Sequence, residues 1–247
     1  MKIGILGAGS IGSTLARKLA AAGHEVKVAN SRGPETIAAD VLATGATAVK
    51  AADAVQDVEV LITSIPLRGM PALKPLIADV SGDTVIIDTS NYYPARDGRL
   101  QALEEGQVES LWVAEQLGRP VVKAWNAIPS GTFDAKGAPA GDSNRLAIPV
   151  AADDEAARET AMTLVEETGF DALDAGSLAD SWRQQPGAPA YCTELRLQEM
   201  PAALAAADKD VLPERRDKAM AVIGTRMEAG DSLAVADLVA INRAIYT

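Results

Sequence analysis

The sequence predicts an α/β protein in which a doubly wound parallel sheet is followed by a smaller α-helical C-terminal layer. Strand-length apolar runs alternate with segments of helical period over about the first 90 residues, and a glycine-rich turn joins the first such pair. From Ser177 onward the apolar positions follow helical spacing. With 247 residues, 48% hydrophobic and 23% charged, the chain can form one large core or two unequal lobes. Disorder, collagen and a disulfide scaffold are excluded.

Lys2 to Leu6 is a short apolar run ending in glycines. Ile11, Leu15 and Leu19 then recur at one-turn spacing as far as Gly23, and Val26 and Val28 open the next strand. A helix is expected to open near Pro34, followed by a short strand at Thr47 to Val49. Val58 to Ile65 is almost continuously apolar, which suits a strand covered on both faces. A further helix is placed after Pro71, a strand at Thr84 to Asp88, a helix over 100 to 118 and a sixth strand at Pro120 to Trp125. Residues 127 to 144, rich in Gly, Pro, Ser and Asp, read as a loop across the sheet face. Arg145 to Ala151 and Phe170 to Asp174 read as strands that carry the sheet on to about residue 175, around a helix over Asp153 to Glu167 with Asp153 or Asp154 at its N-cap. The tail divides into helices at Ala190 to Ala207, Glu214 to Met227 and Ser232 to Ile245, with breaks at Pro213 and Gly230. The division is thus residues 1 to 176 as the sheet domain and 177 to 247 as a helical region for an acceptor site, dimerisation or both.

The formal net charge of −11 opposes binding to nucleic acid or to anionic lipid. One cysteine, Cys192, allows neither an intramolecular disulfide nor a multi-thiolate metal site, and a reducing cytoplasm fits. His24 is the only histidine, so a Ser-His-Asp triad or a two-histidine metal centre has nothing to build with, and no metal site is expected. Chemistry supplied by a cofactor rises accordingly. No stretch approaches the roughly 20 apolar residues of a membrane span.

The strongest motif is Gly7-Ala8-Gly9-Ser10-Ile11-Gly12, which follows a strand and opens a helix, the context in which this spacing marks a dinucleotide site of Rossmann type. Gly7 permits the turn, Gly9 lets the backbone approach a pyrophosphate, and Gly12 lets helix and strand pack. Ser10 and Ile11 complete the loop. In NAD sites an acidic residue about 20 positions further on accepts from the ribose hydroxyls. Here the second strand ends in Asn30-Ser31-Arg32 instead, so Ser31 and Arg32 can hold a 2′-phosphate beside a neutral Asn30, and NADP(H) is predicted over NAD(H).

Later strand ends supply Ser64-Ile65-Pro66 and Asp88-Thr89-Ser90-Asn91, which in an open parallel sheet should line the nicotinamide side. The acid-base candidates are Lys123, Asn126 and Tyr92, and no catalytic assignment follows. Lys123 reads better as a surface or sheet-end cation than as an acid, and Asn126, at a strand's carboxyl end, as the better site residue. His24 reads as a turn residue and Cys192 as a small apolar helix residue. Trp182-Arg183 either contacts a substrate or packs the helical lobe.

The blocks GAGSIGSTLARKLAAAGHEV, NSRGPE, TSIP, DTSN, VVKAWNAIPSGTF, NRLAIPVAADDEAARETAMTLVEETGF and DALDAGSLADSWR, in this order, resemble the NADP oxidoreductases that use the deazaflavin coenzyme F420. They are also similar to the cytosolic reductase domain of the six-transmembrane metalloreductases. The likeness covers about residues 1 to 185. It implies direct hydride transfer between NADPH and a flavin-like ring, with Ser31 and Arg32 on the 2′-phosphate, Gly7, Gly9, Ser10, Ile11 and Gly12 on the pyrophosphate, Ser64-Ile65-Pro66 as the nicotinamide wall, and Ala124 to Ile128 as the floor beneath the second ring. Residues 186 to 247 and the segment Tyr92 to Gly98 depart from that pattern, which leaves the acceptor open among deazaflavin, flavin and a small carbonyl or imine.

The expected function is therefore an NADPH-dependent oxidoreductase with a flavin-like acceptor. The rivals are a reductase of small carbonyls or imines, with Lys123 or a tyrosine of the 92 to 93 pair as proton donor, and an NADP(H) sensor without turnover. The apolar tail residues, among them Leu204, Leu212, Val222 and Ile223, suggest a two-fold dimer.

Overall fold

A computed structural model describes residues 1–246, so the last residue of the expected helical region, Thr247, lies outside the described residues. Six parallel strands form the main sheet: β1 (Lys2–Leu6), β2 (Glu25–Ala29), β3 (Thr47–Ala48), β4 (Val60–Thr63), β5 (Val85–Asp88) and β6 (Val122–Lys123). Their order is β3-β2-β1-β4-β5-β6, the doubly wound Rossmann arrangement, and the order reverses between β1 and β4. In-line register aligns the carboxyl ends: Leu6 pairs with Ala29 and Thr63, Thr63 with Asp88, and Asp88 with Lys123. The residues that follow, Gly7, Asn30, Ser64, Thr89 and Ala124, therefore emerge along one edge.

Both faces of the sheet are covered, which is why the central strand β4 reads as an unbroken apolar run. Ile3, Ile5, Val26, Val28, Val60 and Ile62 pack against helix α1 (Ser10–Ala21), through Leu15 and Leu19, and against a later helix through Leu164 and Val165. On the other face Leu6, Leu61 and Ile86 meet Met70, Trp112 and Val113, the last two from α2 (Glu109–Leu117).

Several local expectations are corrected. The segment near Pro34 forms 3-10 turns at Pro34–Thr36 and Ala39–Leu42, and the helix after Pro71 is a 3-10 segment, Leu67–Leu73, that runs into one α-turn. Residues 100 to 118 split at Gly106, whose φ of 92° breaks the helical path, into a turn and α2. The expected loop over 127 to 144 contains α3 (Ser130–Ala135). The strands β7 (Ala147–Val150) and β8 (Asp171–Asp174) do not extend the main sheet; they form a two-stranded sheet of their own, linked to it by an antiparallel bridge from Lys123 to Ala151. That reversed direction ends the parallel ladder at β6.

Between β7 and β8 runs α4 (Glu155–Glu167), whose N-cap Asp154 accepts from the Ala157 N–H at 2.7 Å. Asp154→Ala is expected to cost about 1 kcal/mol in a urea unfolding curve, because that N–H loses its partner. Beyond it, a 3-10 segment covers Leu178–Gln184, and α5 (Met200–Ala205) is all that forms of the helix expected over 190 to 207. Cys192 consequently lies in no helix, and both it and Glu194 have φ of 54°. The tail closes with α6 (Leu212–Glu228) and α7 (Val235–Tyr246). Pro213 sits in the first turn of α6, where its missing N–H is harmless, so it starts that helix and does not break one.

Candidate functional site

The turn after β1 is possible only with glycine. Gly7 has φ of 115°, and a Cβ there would stand 2.1 Å from the Ser64 carbonyl oxygen; one on Gly12 would stand 1.9 Å from the Gly7 carbonyl oxygen. Gly9 is different, since a Cβ there would enter open space. At that opening α1 begins, with no side chain capping it and no acidic residue in its first turn. Its N–H groups and positive dipole end are thus directed at a site fit for an anion.

Beside it, Gly7 N–H donates to the Ala29 carbonyl at 2.8 Å, which brings the end of β2 against the glycine turn. Asn30 is an organiser of this loop: its Oδ1 accepts from the Arg32 and Gly33 N–H groups, both at 2.9 Å, and its Nδ2 donates to Thr36 Oγ1 at 2.9 Å. Those bonds leave Ser31 and Arg32 exposed at the tip. The Arg32 guanidinium makes no hydrogen bond or ion pair among the described residues, so it is available to an incoming phosphate.

A cleft of about 340 Å³ runs along the carboxyl edge. Gly9, Ser10, Ile11, Ser64, Ile65, Pro66, Asn91 and Asn126 line it, together with Tyr93, Arg96, Trp125, Tyr191 and Cys192. Gly7 and Gly12 shape its end from behind, and Ala124, fully buried, lies outside the lining. The walls are held by amides and hydroxyls. Asn126 Nδ2 donates to Asn91 Oδ1 at 3.1 Å and to the Gln184 carbonyl at 2.8 Å, Gln184 Nε2 returns a bond to Asn126 Oδ1 at 2.9 Å, and Asn91 Nδ2 donates to the Asn126 carbonyl at 3.0 Å. Asn126 is so fully engaged that its role is to fix the wall. Thr89 Oγ1 similarly donates to Ser64 Oγ at 3.2 Å.

Lys123 is neither a surface cation nor a residue of the cleft. Its side chain has no exposure, its Nζ is 2.8 Å from Asp88 Oδ2, and it also donates to the Ser90 carbonyl. The carboxylate in turn accepts from the Ser90 N–H and hydroxyl, so a closed ion pair lies under the strand ends. A Lys-x-x-Asn spacing on a strand gave no sign of this; the lone Asp88 at the end of the neighbouring strand was the available hint.

Near this pair, Glu109 is buried with Oε2 unpartnered. Burial pushes its carboxyl up to about 7 from the ordinary 4.5, although Lys123, the Tyr92 N–H and Arg216 pull the other way. Between those values the folded protein keeps a proton that the unfolded chain has lost, so stability falls as pH rises through that window. Glu109→Gln is expected to remove this slope from a pH series of urea midpoints.

Tyr92 and Tyr93 part company. Tyr92 is buried and its hydroxyl turns away from the cleft, donating to Glu104 Oε1 at 2.8 Å and accepting from the Leu100 N–H at 3.0 Å. Tyr93 faces the cleft and shares a 2.7 Å hydroxyl-hydroxyl bond with Tyr191. Burial raises the pKa of both phenols, and pushes the Cys192 thiol up to about 12, so these groups stay protonated at neutral pH. Asp97 anchors Tyr93 by accepting from its N–H at 3.0 Å and pairing with Arg96 at 2.8 Å.

Tyr191 was not among the sequence candidates, because it lies in a region that reads as plain helix. The tail puts it in place. Leu212, Ala219 and Tyr246 pack with Tyr191 and Cys192, with Trp182 at the edge of the same cluster, while Asn242 Nδ2 donates to the Cys192 carbonyl at 3.3 Å and Arg243 Nε to the Thr193 carbonyl at 2.7 Å. These bonds compete with helix formation and hold Cys192 in its left-handed backbone conformation. Asn242→Ala is expected to lower stability by about 1 kcal/mol, measured by urea unfolding. His24 joins α1 to β2 at the far edge, with Nε2 2.7 Å from Glu167. Among the described residues no group of three metal-capable side chains occurs, and no helix is long and apolar enough to cross a membrane.

The chain is similar to several known proteins. The family model for NADP oxidoreductase, coenzyme F420-dependent, matches residues 2–92. The protein YjhV of Escherichia coli K12 is 38% identical over 127 residues, 51% of this chain and 83% of YjhV. Metalloreductase STEAP3 of Rattus norvegicus is 31% identical over 182 residues, 73% of this chain but 35% of STEAP3. Among solved structures, the hypothetical protein SMa0349 of Sinorhizobium meliloti superposes with a TM-score of 0.67 at 29% identity, over 79% of this chain and 95% of that one.

Proposed function

The chain belongs to the coenzyme F420-dependent family of NADP oxidoreductases, and on that premise we propose that it transfers hydride between NADP(H) and a flavin-like ring, either deazaflavin coenzyme F420 or a flavin. The observation that carries this reading is the single cleft in which an anion-binding glycine turn opens into a compartment walled by amides and hydroxyls. Of its lining side chains, those able to ionise are Arg96, Tyr93, Tyr191 and Cys192, and the last three are held in their neutral forms. Such a wall binds and orients; it offers no acid-base pair.

In this reading Gly7, Gly9 and Gly12, with the N–H groups of Ser10 and Ile11, hold the pyrophosphate, and Ser31 and Arg32 hold the 2′-phosphate. Asn30 acts by shaping their loop. Ser64, Ile65, Pro66, Asn91 and Asn126 form the wall on which two rings are aligned and from which water is excluded. When bound, the dinucleotide supplies the hydride, and the chain contributes alignment.

The test offers NADPH and, in parallel, deazaflavin, FMN and FAD to the purified protein, following each acceptor's own absorbance. Rapid bleaching of a ring acceptor is expected. Absence of turnover with all three, in protein that binds NADPH, would overturn the reading in favour of a small-carbonyl or imine reductase or a sensor.

We also propose a two-fold dimer across α6, and a reducing cytoplasm as the setting of the single buried thiol. Leu204 and Leu212, which the sequence offers as dimer surface, are spent inside the chain, but Met220, Val222 and Met227 stand exposed on α6. Sedimentation should show a dimer at micromolar concentration; a monomer would remove the proposal.

A further inference from the structure

We propose that the Tyr93-Tyr191 pair is the acceptor-side recognition element, with the Tyr93 hydroxyl donating a hydrogen bond to a carbonyl oxygen or imine-type nitrogen of the bound ring. The inference rests on the reading that the cleft takes a ring acceptor, and it assigns this chain's own residues to the second subsite.

Two phenols carry two O–H groups, and the 2.7 Å bond between them uses one. Tyr191 is buried at 6% exposure and, although it also lines the cleft, lies against Tyr93 and the Cys192 sulfur. Tyr93 is half-buried and faces the opening. With Tyr191 donating to Tyr93, the second proton is left on Tyr93 and directed at the cleft. That arrangement becomes the favoured one as soon as an acceptor atom arrives.

Three features hold the pair in place. Asp97 fixes the Tyr93 backbone N–H, the Arg96 guanidinium lies 5.3 Å above the Tyr93 ring, and α6 and α7 pack behind Tyr191. Because burial keeps both phenols protonated, the donor is present throughout the neutral and moderately alkaline range. Electron density on a ring heteroatom rises when the ring accepts hydride, so a fixed neutral donor also favours the reduced product. The proton that completes reduction comes from solvent, and Tyr93 keeps its own.

The pair also explains why the tail is joined to the sheet. Without Cys192 in its strained conformation, held through Asn242 and Arg243, Tyr191 would have no fixed position. The departures from the family pattern, Tyr92 to Gly98 and the region after 186, thus meet at one point in space.

The experiment compares wild type with Tyr93→Phe, Tyr191→Phe and the double variant. The probes are oxidised deazaflavin and FMN, with binding read by their fluorescence and NADPH binding measured separately. Tyr93→Phe keeps the ring and its contact with Arg96, and is expected to weaken acceptor binding about 2- to 10-fold with no change in NADPH affinity. Tyr191→Phe should give a smaller loss, and the double variant no more than Tyr93→Phe alone, since Tyr191 acts through Tyr93. The loss should be flat with pH across the neutral range. Wild-type acceptor affinity in Tyr93→Phe would overturn the proposal, as would equal losses for acceptor and NADPH. Failure of wild type to bind or reduce any ring acceptor would overturn the functional reading itself, a distinct result.

Discussion

Lys123→Met is expected to destabilise the protein by about 3–5 kcal/mol, the usual effect of removing one member of a buried ion pair. Neither Lys123 nor Asp88 has any side-chain exposure, and among the described residues the ammonium is the only full positive charge bonded to the Asp88 carboxylate. The remaining bonds, from the Ser90 N–H at 3.1 Å, the Ser90 hydroxyl at 3.0 Å and the Thr63 hydroxyl at 3.3 Å, come from neutral groups and cannot neutralise it. A stranded charge would then sit at the junction of β5, β6 and the antiparallel bridge to Ala151. Combining Lys123→Met with Asp88→Asn should return much of the loss, because the uncompensated charge goes with it. Urea midpoints for the single and double variants check this. A Lys123→Met protein of unchanged stability that instead lost one limb of its pH-rate profile would contradict the structural role and restore Lys123 as a proton donor.

Arg32→Ala is expected to weaken NADPH binding by about 1.5–3 kcal/mol and to leave NADH binding nearly unchanged, as befits a charge-assisted bond to the one phosphate that distinguishes them. Since the Arg32 side chain is exposed and makes no internal bond, its loss should not disturb the loop. Asn30→Ala provides the contrast. It removes the acceptor that gathers the Arg32 and Gly33 N–H groups, so both dinucleotides should lose affinity. Parallel titrations of the two variants separate a phosphate contact from a loop scaffold; equal losses of NADPH and NADH in Arg32→Ala would contradict the assignment.

Much of the fold was legible because its signals are local. Glycine spacing with strand and helix on either side placed β1, α1 and β2, and continuous apolar runs placed β4 and β5. What could not be read depended on partners distant in the chain. The direction of β7 is set by the Lys123-Ala151 bridge, and residues 190 to 197 leave the helical path because α7 captures their carbonyls. The same holds at the site. The Gly7 to Gly12 turn follows from spacing, whereas Lys123 changes character only through Asp88, 35 positions earlier, and Tyr93 gains its partner from Tyr191, 98 positions later. Helical periodicity in the tail was a poor guide there because Ala-rich sequence is compatible with helix even where tertiary bonds win.

The most direct test of the central claim is to supply NADPH deuterated at the transferable position of the nicotinamide to the protein with oxidised deazaflavin, and to locate the label afterwards. Direct ring-to-ring transfer across this cleft predicts that the deuterium is found on the reduced deazaflavin and that turnover slows with the heavy isotope. Label recovered in water, or NADPH binding without any reduction, would contradict it.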